Sequence, residues 1–222
     1  MKEYRVIAFD LDGTLTDPAS GLIAGFKYAL DAYGIDYGSE DSLKKFIGPP
    51  LQDAWEEEYG VSRETAVAML YKFREFYNVY GWWDNKPYDG VREMLAALKS
   101  AKKTLVLATS KPERIAKRVL ALFELDGYFD FIGGASADLR RDKKQEVLSY
   151  SLSAVGCTDP SAAILVGDRK YDAEGAALCG IDSLGVLWGH GSREEIETSG
   201  FTLVAASPDE VVSCLTRDGR EV

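Results

Sequence analysis

One short segment near the amino terminus constrains this chain most, the stretch from Tyr4 to Asp17 with the sequence YRVIAFDLDGTLTD. Its apolar run, Val6 to Phe9, is typical of a strand buried on both faces of a parallel sheet. The run ends at Asp10 and Asp12, and Gly13 follows directly. Two carboxylates so close repel each other strongly in a poorly solvated site, unless a cation lies between them or one carries a proton. The pattern therefore predicts chemistry at the end of this strand.

Two other interpretations of the segment need to be weighed. The aspartates could form only a polar turn after the strand, or they could begin a calcium-binding loop. A calcium loop needs oxygen ligands at further alternate positions and a glycine at its sixth position. Here Gly13 is fourth and Leu15 interrupts the series. From this segment alone the polar turn remains the alternative.

Charge and composition disfavour several classes of partner. The 222 residues carry a formal net charge of -10, which argues against nucleic acid polymers and acidic membrane surfaces, because phosphate groups are bound by basic surfaces. No apolar stretch reaches the roughly 20 residues of a membrane span, so we expect a cytoplasmic protein without membrane contact. Cys157, Cys179 and Cys214 are widely spaced, which favours reduced thiols and argues against zinc.

A block of helices is predicted after the opening strand. Between residues 17 and 86, apolar residues recur at helical spacing in three segments. The first ends at Gly34, the second ends before Gly60, and the third begins after Ser62 as a predicted N-cap. We therefore predict an all-helical domain over 17–86, with hinges at 15–17 and 88–90.

From residue 87 onward, predicted helices and strands alternate. Apolar runs predict strands at 104–109, 129–132, 162–166 and 182–187. Such alternation indicates an α/β fold of the Rossmann-like type, with a parallel sheet and helices on both faces. The opening strand belongs to this sheet, so we expect one core domain from 1–16 and 87–222. The helical block would be inserted as a cap over the carboxyl ends of the strands, where ligands bind in such folds.

Polar residues follow the predicted strands at the edge where they would meet Asp10 and Asp12. Each group alone has a plain explanation, either helix capping, a first-turn preference or solvated charge. Their convergence on one edge instead favours a shared site. The residues are Thr109, Ser110, Lys111, Lys143, Lys144, Asp168 and Asp172.

The order of these motifs resembles the haloacid dehalogenase (HAD) superfamily, in its phosphoglycolate-phosphatase-like branch with a helical cap. The resemblance covers the whole length and rests on D-x-D-G-T-[LV], a strand-terminal hydroxyl, a helix-borne lysine and G-D-x-x-x-D. Lys143 is an alternative for the lysine, and Lys144 is preferred because it begins the segment Lys-Gln-Glu-Val-Leu. The matching residues are Asp10, Asp12, Gly13, Thr14, Thr109, Lys144, Gly167, Asp168 and Asp172.

The resemblance implies a magnesium-dependent phosphatase acting on a small phosphorylated metabolite. Asp10 would attack phosphorus to form an aspartyl-phosphate, and Asp12 would act as general acid and base. Thr109 and Lys144 would complete the catalytic set. The implied Mg²⁺ ligands are Asp10, Asp12 through its carbonyl, Asp168 and Asp172. The implied substrate-binding residues are Leu11, Gly13, Ser110, Lys45 and Gly48.

Several alternatives remain open on the sequence. A phosphomutase or a pyrophosphatase could use the same core, and a receiver-like regulatory domain also combines carboxylates, a hydroxyl and a lysine. His190 lies between two glycines and is interpreted as part of a polar loop. We expect a monomer or a homodimer. Phosphonate-cleaving members of the superfamily use a cap lysine, for which the candidates are Lys27, Lys44, Lys45 and Lys72.

Overall fold

The computed structural model describes residues 2–138 and 140–216. In chain order the strands are β1 (Val6–Phe9), β2 (Thr16–Asp17), β3 (Lys86–Pro87), β4 (Thr104–Pro112), β5 (Phe131–Ala135), β6 (Ala163–Gly167), β7 (Asp182–Val186) and β8 (Leu203–Ala205). Six of them form one parallel sheet in the order β5-β4-β1-β6-β7-β8. The first strand thus lies in the middle of the sheet, between β4 and β6, as expected for a strand with only apolar residues.

Ten α-helices are found in the described part of the chain. They are α1 (Ala19–Ala32), α2 (Glu40–Leu43), α3 (Leu51–Tyr59), α4 (Arg63–Phe76), α5 (Val91–Ser100), α6 (Glu113–Leu122), α7 (Lys144–Ala154), α8 (Lys170–Leu178), α9 (Arg193–Thr198) and α10 (Pro208–Thr216). A π-helical turn, Tyr77–Gly81, continues α4. The predicted α/β fold class with inserted helices is confirmed.

Both faces of the sheet are covered because its side chains alternate between them. Val6 and Ala8 of β1 pack with apolar residues of α7 and α8 on one face. Ile7 and Phe9 point to the other face, where α5, α6 and α10 supply the apolar partners. This burial on both sides explains why β1 contains no polar residue.

The predicted helix ends in the 17–86 block are confirmed. Gly34 follows α1 with a φ of 65°, and Gly60 ends α3 with a φ of 62°, a conformation that glycine adopts without strain. The Ser62 hydroxyl accepts a hydrogen bond from the Thr65 N–H at 3.2 Å and so caps α4. Local sequence chemistry therefore sets these boundaries.

The helices of this block share an aromatic core. The Phe26 ring stacks on Phe73 at a centroid distance of 5.4 Å and meets Phe46 and Trp55 edge-on at 6.1 and 6.4 Å. A two-stranded antiparallel ribbon of β2 and β3 joins the block to the main sheet. The division of the chain into two domains stays a prediction, and we use the word cap for residues 17–86.

The structure differs from the predicted strands in a few places. Strand β4 runs on past Thr109 to Pro112, with a register irregularity against β5 after Thr109. Strand β5 begins at Phe131 rather than at 129, because a 3-10 turn at Asp126–Tyr128 precedes it. The strands β2, β3 and β8 have only two or three residues each, too few to leave a periodic pattern.

Two negative findings concern the surface and the cysteines. None of the helices in the described ranges combines the length and apolar character that crossing a membrane requires. Cys157, Cys179 and Cys214 are free thiols, as the sequence indicated.

Candidate active site

Three neighbouring strands deliver polar residues to one point at their carboxyl ends. Asp10 directly follows β1, Thr109 lies near the end of β4, and Asp168 directly follows β6. Because β1 pairs with both β4 and β6, these residues meet at the centre of the sheet edge. All three are buried, with exposed fractions of 7%, 1% and 0%.

Lys144 connects the first and last motifs. Its Nζ lies 2.8 Å from Asp10 Oδ1 and 2.9 Å from Asp172 Oδ1, and it donates to the Ala108 carbonyl at 3.1 Å. Burial alone would lower the pKa of Lys144, but the charges of Asp10 and Asp172 outweigh it and raise that pKa above its usual value. The side chain therefore carries a positive charge at neutral pH. Lys143, the alternative, is exposed.

This lysine adjoins a cluster of three carboxylates. One carboxylate oxygen from each of Asp10, Asp168 and Asp172 lies within 4.8 Å of the others. Burial, followed by the charges of Asp172 and Asp10, raises the pKa of Asp168 to about 8. Burial also raises the pKa of Asp172. Three buried carboxylates with one ammonium form a set of hard oxygen donors whose repulsion a divalent cation would relieve, so they fit Mg²⁺.

Asp168 is held in place by its neighbours. The Thr14 hydroxyl donates to its Oδ1 at 3.1 Å, and the His190 backbone N–H donates to its Oδ2 at 2.8 Å. Gly13 has a φ of 87°, and a Cβ there would lie 2.2 Å from Asp168 Oδ2. Glycine is therefore required at position 13 both for the backbone conformation and for the approach of the carboxylate.

The His190 side chain lies close to Asp17. Its Nε2 lies 3.6 Å from Asp17 Oδ1, where the chain enters the cap. Burial lowers the pKa of His190, so the imidazole is neutral at physiological pH. The predicted polar loop is thus partly buried, and its backbone supports Asp168.

The Asp12 carboxylate belongs to a second group. Lys111 Nζ lies 2.9 and 2.6 Å from its two oxygens and 2.7 Å from the Tyr77 hydroxyl. Burial alone would lower the pKa of Lys111, but the charge of Asp12 outweighs it and raises that pKa. Because the Asp12 carboxylate is bound by Lys111, the backbone carbonyl is the Asp12 oxygen that is left for the implied metal.

The sequence placed Lys111 at this edge but gave it no catalytic, substrate-binding or metal role. A signal for such a role existed, because Lys111 stands two residues beyond Thr109 on the same strand. Tyr77 comes from the cap, so this contact also joins the cap to the core. No local pattern in the sequence indicates it.

A cavity opens above these residues, between core and cap. The Thr109 hydroxyl oxygen accepts a hydrogen bond from the Lys111 N–H at 3.2 Å, so its own O–H can donate into the cavity. The N–H groups of Leu11 and Asp12 donate to no acceptor within the described ranges. Residues of the core that line the cavity include Asp10, Asp12, Thr109, Ser110, Lys111 and Asp142. Those of the cap include Phe26, Phe46, Gly48, Gln52, Arg74, Tyr77 and Asn78.

The cap loop meets the core beside the acidic cluster. The Arg169 guanidinium donates to the Ile47 carbonyl, and Gly48, with a φ of 110°, packs against the Arg169 side chain. Nearby, the Gln52 amide donates to Asp142 Oδ2 at 3.3 Å. These contacts hold the cap over the site. Of the two predicted cap residues in this loop, the structure brings Gly48 to the cavity.

The other, Lys45, does not reach the cavity. Its ammonium is 2.6 Å from Glu58 of α3, on the outer surface of the cap. The remaining cap lysines considered for phosphonate chemistry are also held in surface ion pairs, and within the described ranges none lines the cavity. These pairs are Lys27 with Glu40, Lys44 with Asp41 and Lys72 with Glu75.

An α/β sheet that gathers a buried lysine and three buried carboxylates at one edge, beneath a helical roof, defines an enzyme core. Comparison with known proteins identifies the family. The model of the haloacid dehalogenase-like hydrolases matches residues 7–186. The chain belongs to this family, which makes it a hydrolase and confirms the resemblance seen in the sequence.

Individual relatives carry different names. The chain is 37% identical over 213 residues to the tyrosine-protein kinase PtkA of Mycobacterium tuberculosis, covering 95% of this chain and 72% of that protein. It is 37% identical to a 5'-nucleotidase of Pseudomonas aeruginosa, with 87% of each covered. It is 32% identical to a phosphoglycolate phosphatase of Aquifex aeolicus, with 84% and 86% covered.

Solved structures agree with this placement. The crystal structure of a predicted phosphatase from Clostridium acetobutylicum matches with a TM-score of 0.92 and 38% sequence identity. The match covers 96% of this chain and 98% of that one. The similarity therefore includes the cap as well as the core.

Proposed function

We propose that this protein is a magnesium-dependent phosphatase that hydrolyses a small phosphomonoester through an aspartyl-phosphate on Asp10. The observation that carries the proposal is the position of Asp10. Its carboxylate is bound by Lys144 at 2.8 Å, belongs to the three-carboxylate cluster and lines the cavity beneath the cap. A nucleophile at this point faces any ligand that enters between cap and core.

Phosphoryl transfer requires that negative charge on the phosphoryl oxygens be neutralised. Lys144 supplies one positive charge beside the nucleophile. The N–H groups of Leu11 and Asp12 and the Thr109 hydroxyl have no competing use for their protons in the described part of the chain. They are therefore suited to bind phosphoryl oxygens.

Asp12 is suited to protonate the leaving oxygen and then to activate water. Its carboxylate lines the cavity, and Lys111 fixes both of its oxygens. Because the carboxylate turns toward Lys111 instead of joining the cluster, it remains available for proton transfer. Lys111 acts here as a positioning residue.

Asp10, Asp168 and Asp172, with the Asp12 carbonyl, would hold Mg²⁺. When bound, the ion would offset negative charge on the nucleophile and the transferred phosphoryl group. Removal of the ion by a chelator should then stop turnover.

Within the described ranges, the cap side chains that line the cavity include no carboxylate and no histidine. A phosphomutase needs an acid or base of the cap to handle protons while water is held off, so this lining supports hydrolysis over the mutase alternative.

A pyrophosphatase remains an alternative on the same core. The hydrolase family argues against the receiver-like regulatory domain. The 5'-nucleotidase and phosphoglycolate phosphatase relatives point to small phosphorylated metabolites as substrates.

The test is hydrolysis of p-nitrophenyl phosphate with Mg²⁺, followed by a panel of phosphorylated metabolites. Asp10→Asn should abolish turnover while the circular dichroism spectrum and unfolding temperature remain those of a folded protein. Asp182→Asn is the matched control, because Asp182 begins β7 at the opposite edge of the sheet and its loss should leave turnover unchanged. Full activity in Asp10→Asn would end the proposal.

A further inference from the structure

The cavity above Asp10 continues into an outer groove between cap and core. Arg74, Asn78, Pro112 and Ala135 line both spaces and thus mark the passage between them. Arg74 comes from the cap helix α4, and Asn78 lies in the π-helical turn that continues this helix. A substrate whose phosphoryl group reaches Asp10 would extend its leaving group toward these residues.

Arg74 has an unusual environment for an arginine. The side chain is half-buried, yet it forms no ion pair and no hydrogen bond with any residue in the described ranges. Its guanidinium carbon lies 5.9 Å from the centroid of the exposed Tyr71 ring. Tyr71 and then Asp142 favour the charged form, but Asp142, which lines the same cavity, does not come within ion-pair distance. Burial lowers the pKa of Arg74. A guanidinium removed from water without a counter-ion is costly, and an anionic ligand would remove that cost.

The core side of the groove adds to the positive charge. Arg114 is exposed and forms no ion pair with a described residue. Arg141 lies 3.1 Å from Glu113 and stacks on the Tyr150 ring at 3.7 Å. Glu113 is also bound by Lys117 at 2.6 Å, so its charge is already compensated. The groove is therefore cationic on a chain whose net charge is -10.

We propose that Arg74 is a specificity-determining residue that binds a second anionic group on the leaving group of the substrate. The preferred substrate is then a phosphomonoester that carries a further carboxylate or phosphate. The planar guanidinium can bind either group through two parallel hydrogen bonds. This inference rests on the proposed phosphatase function and adds to it the class of leaving group.

Turnover of three matched aryl phosphates tests the inference. Phenyl phosphate has a neutral leaving group, 4-carboxyphenyl phosphate adds a carboxylate, and 1,4-phenylene bisphosphate adds a phosphate. The unaltered protein should prefer one or both of the charged compounds, and which of them is preferred identifies the second group. Arg74→Gln should lower kcat/KM for the preferred compound on the order of 10- to 100-fold. For phenyl phosphate the change should stay within about twofold, and Arg74→Lys should recover part of the loss.

Binding measurements separate this inference from the proposed function. Benzylphosphonate and 4-carboxybenzylphosphonate are not cleaved by phosphatases, so titration calorimetry reports recognition without turnover. If turnover is absent but Arg74→Gln still loses its preference for the carboxylated compound, the anion site stands and the phosphatase proposal fails. Equal losses for neutral and charged compounds, or no preference in the unaltered protein by either method, would overturn the role of Arg74.

Two controls address a structural role of Arg74. Arg63→Gln removes a cap arginine that pairs with Glu56 at 2.8 Å on the exposed surface, and it should keep the preference. Arg74 has neither an ion-pair nor a hydrogen-bond partner in the described ranges, and the exposed Tyr71 ring lies 5.9 Å from its guanidinium, a contact of small energy at an exposed site. Arg74→Gln should therefore unfold at nearly the same or a higher temperature than the unaltered protein. A marked drop in its unfolding temperature would indicate a packing role instead.

Discussion

The carboxylate cluster should make the metal-free protein less stable as pH rises. The pKa of Asp168 is about 8 in the folded chain against 3.8 for a free side chain. A carboxyl group with a raised pKa binds more protons when folded than when unfolded. The free energy of unfolding therefore falls as pH increases between these two values. Replacing the side chain by the neutral Asp168→Asn should remove this contribution, and the raised pKa of Asp172 should leave the variant a weaker dependence of the same sign.

The size of the effect follows from the pKa of Asp168. Between about pH 5.5 and about pH 8, one such group costs about 3 kcal/mol of folding stability. For a chain of this size that corresponds to roughly 6–12 °C in unfolding temperature. His190 has the opposite effect on stability. Burial lowers its pKa, so the folded protein binds this proton less readily than the unfolded chain does, and the free energy of unfolding falls as pH decreases. The His190 contribution is common to the unaltered protein and to Asp168→Asn, so it cancels when the stabilities of the two proteins are compared.

Thermal unfolding in a chelator, with and without added Mg²⁺, provides the assay. In the chelator at about pH 8, Asp168→Asn should be the more stable protein. Added Mg²⁺ should raise the unfolding temperature of the unaltered protein strongly, and that of the variant little. An unaltered protein whose metal-free stability is the same at both pH values, or a variant with the same pH dependence, would refute this account of the cluster.

Two further substitutions test individual contacts. Lys111→Met removes the partner of the Asp12 carboxylate. We expect about 3 kcal/mol lower stability in chemical denaturation and at least about 100-fold slower turnover. Unchanged turnover would show that Asp12 needs no such positioning. Gly13→Ala would place a methyl group 2.2 Å from Asp168 Oδ2, and we expect loss of Mg²⁺ binding and activity. Gly180→Ala, at a φ of 69° with no atom within 4 Å, is the control and should cost only about 1 kcal/mol, measured by thermal unfolding.

Much of the fold follows from local chemistry in the sequence. The apolar run before Asp10 can be buried only in the middle of a parallel sheet, and the structure has it there. Gly60 and Ser62 set helix boundaries because glycine adopts a positive φ without strain and the serine hydroxyl binds an unpaired N–H group. Parallel strands end on one edge, so the meeting of Asp10, Thr109 and Asp168 was also predictable in outline.

The partner of each charged side chain, in contrast, depended on the tertiary structure. Lys111 and Lys45 look alike in the sequence, yet one is buried against Asp12 and Tyr77 and the other pairs with Glu58 at the surface. Arg74 gives no sign in the sequence that it lines the cavity with no ion-pair partner in the part of the chain that the structure describes.

The physical reason is the range of the interactions. Hydrophobic periodicity, capping and glycine conformation act over a few residues, so the chain contains them locally. Ion pairs and cavity walls join residues far apart in sequence, such as Tyr77 with Lys111 and Lys144 with Asp10. They exist only after the strands of the core have assembled, as for Lys144 with Asp10, or after the cap has packed on the core, as for Tyr77 with Lys111. The sequence thus determined the strands, the helices and the acidic edge, and the packing of cap on core decided which side chains meet in the cavity.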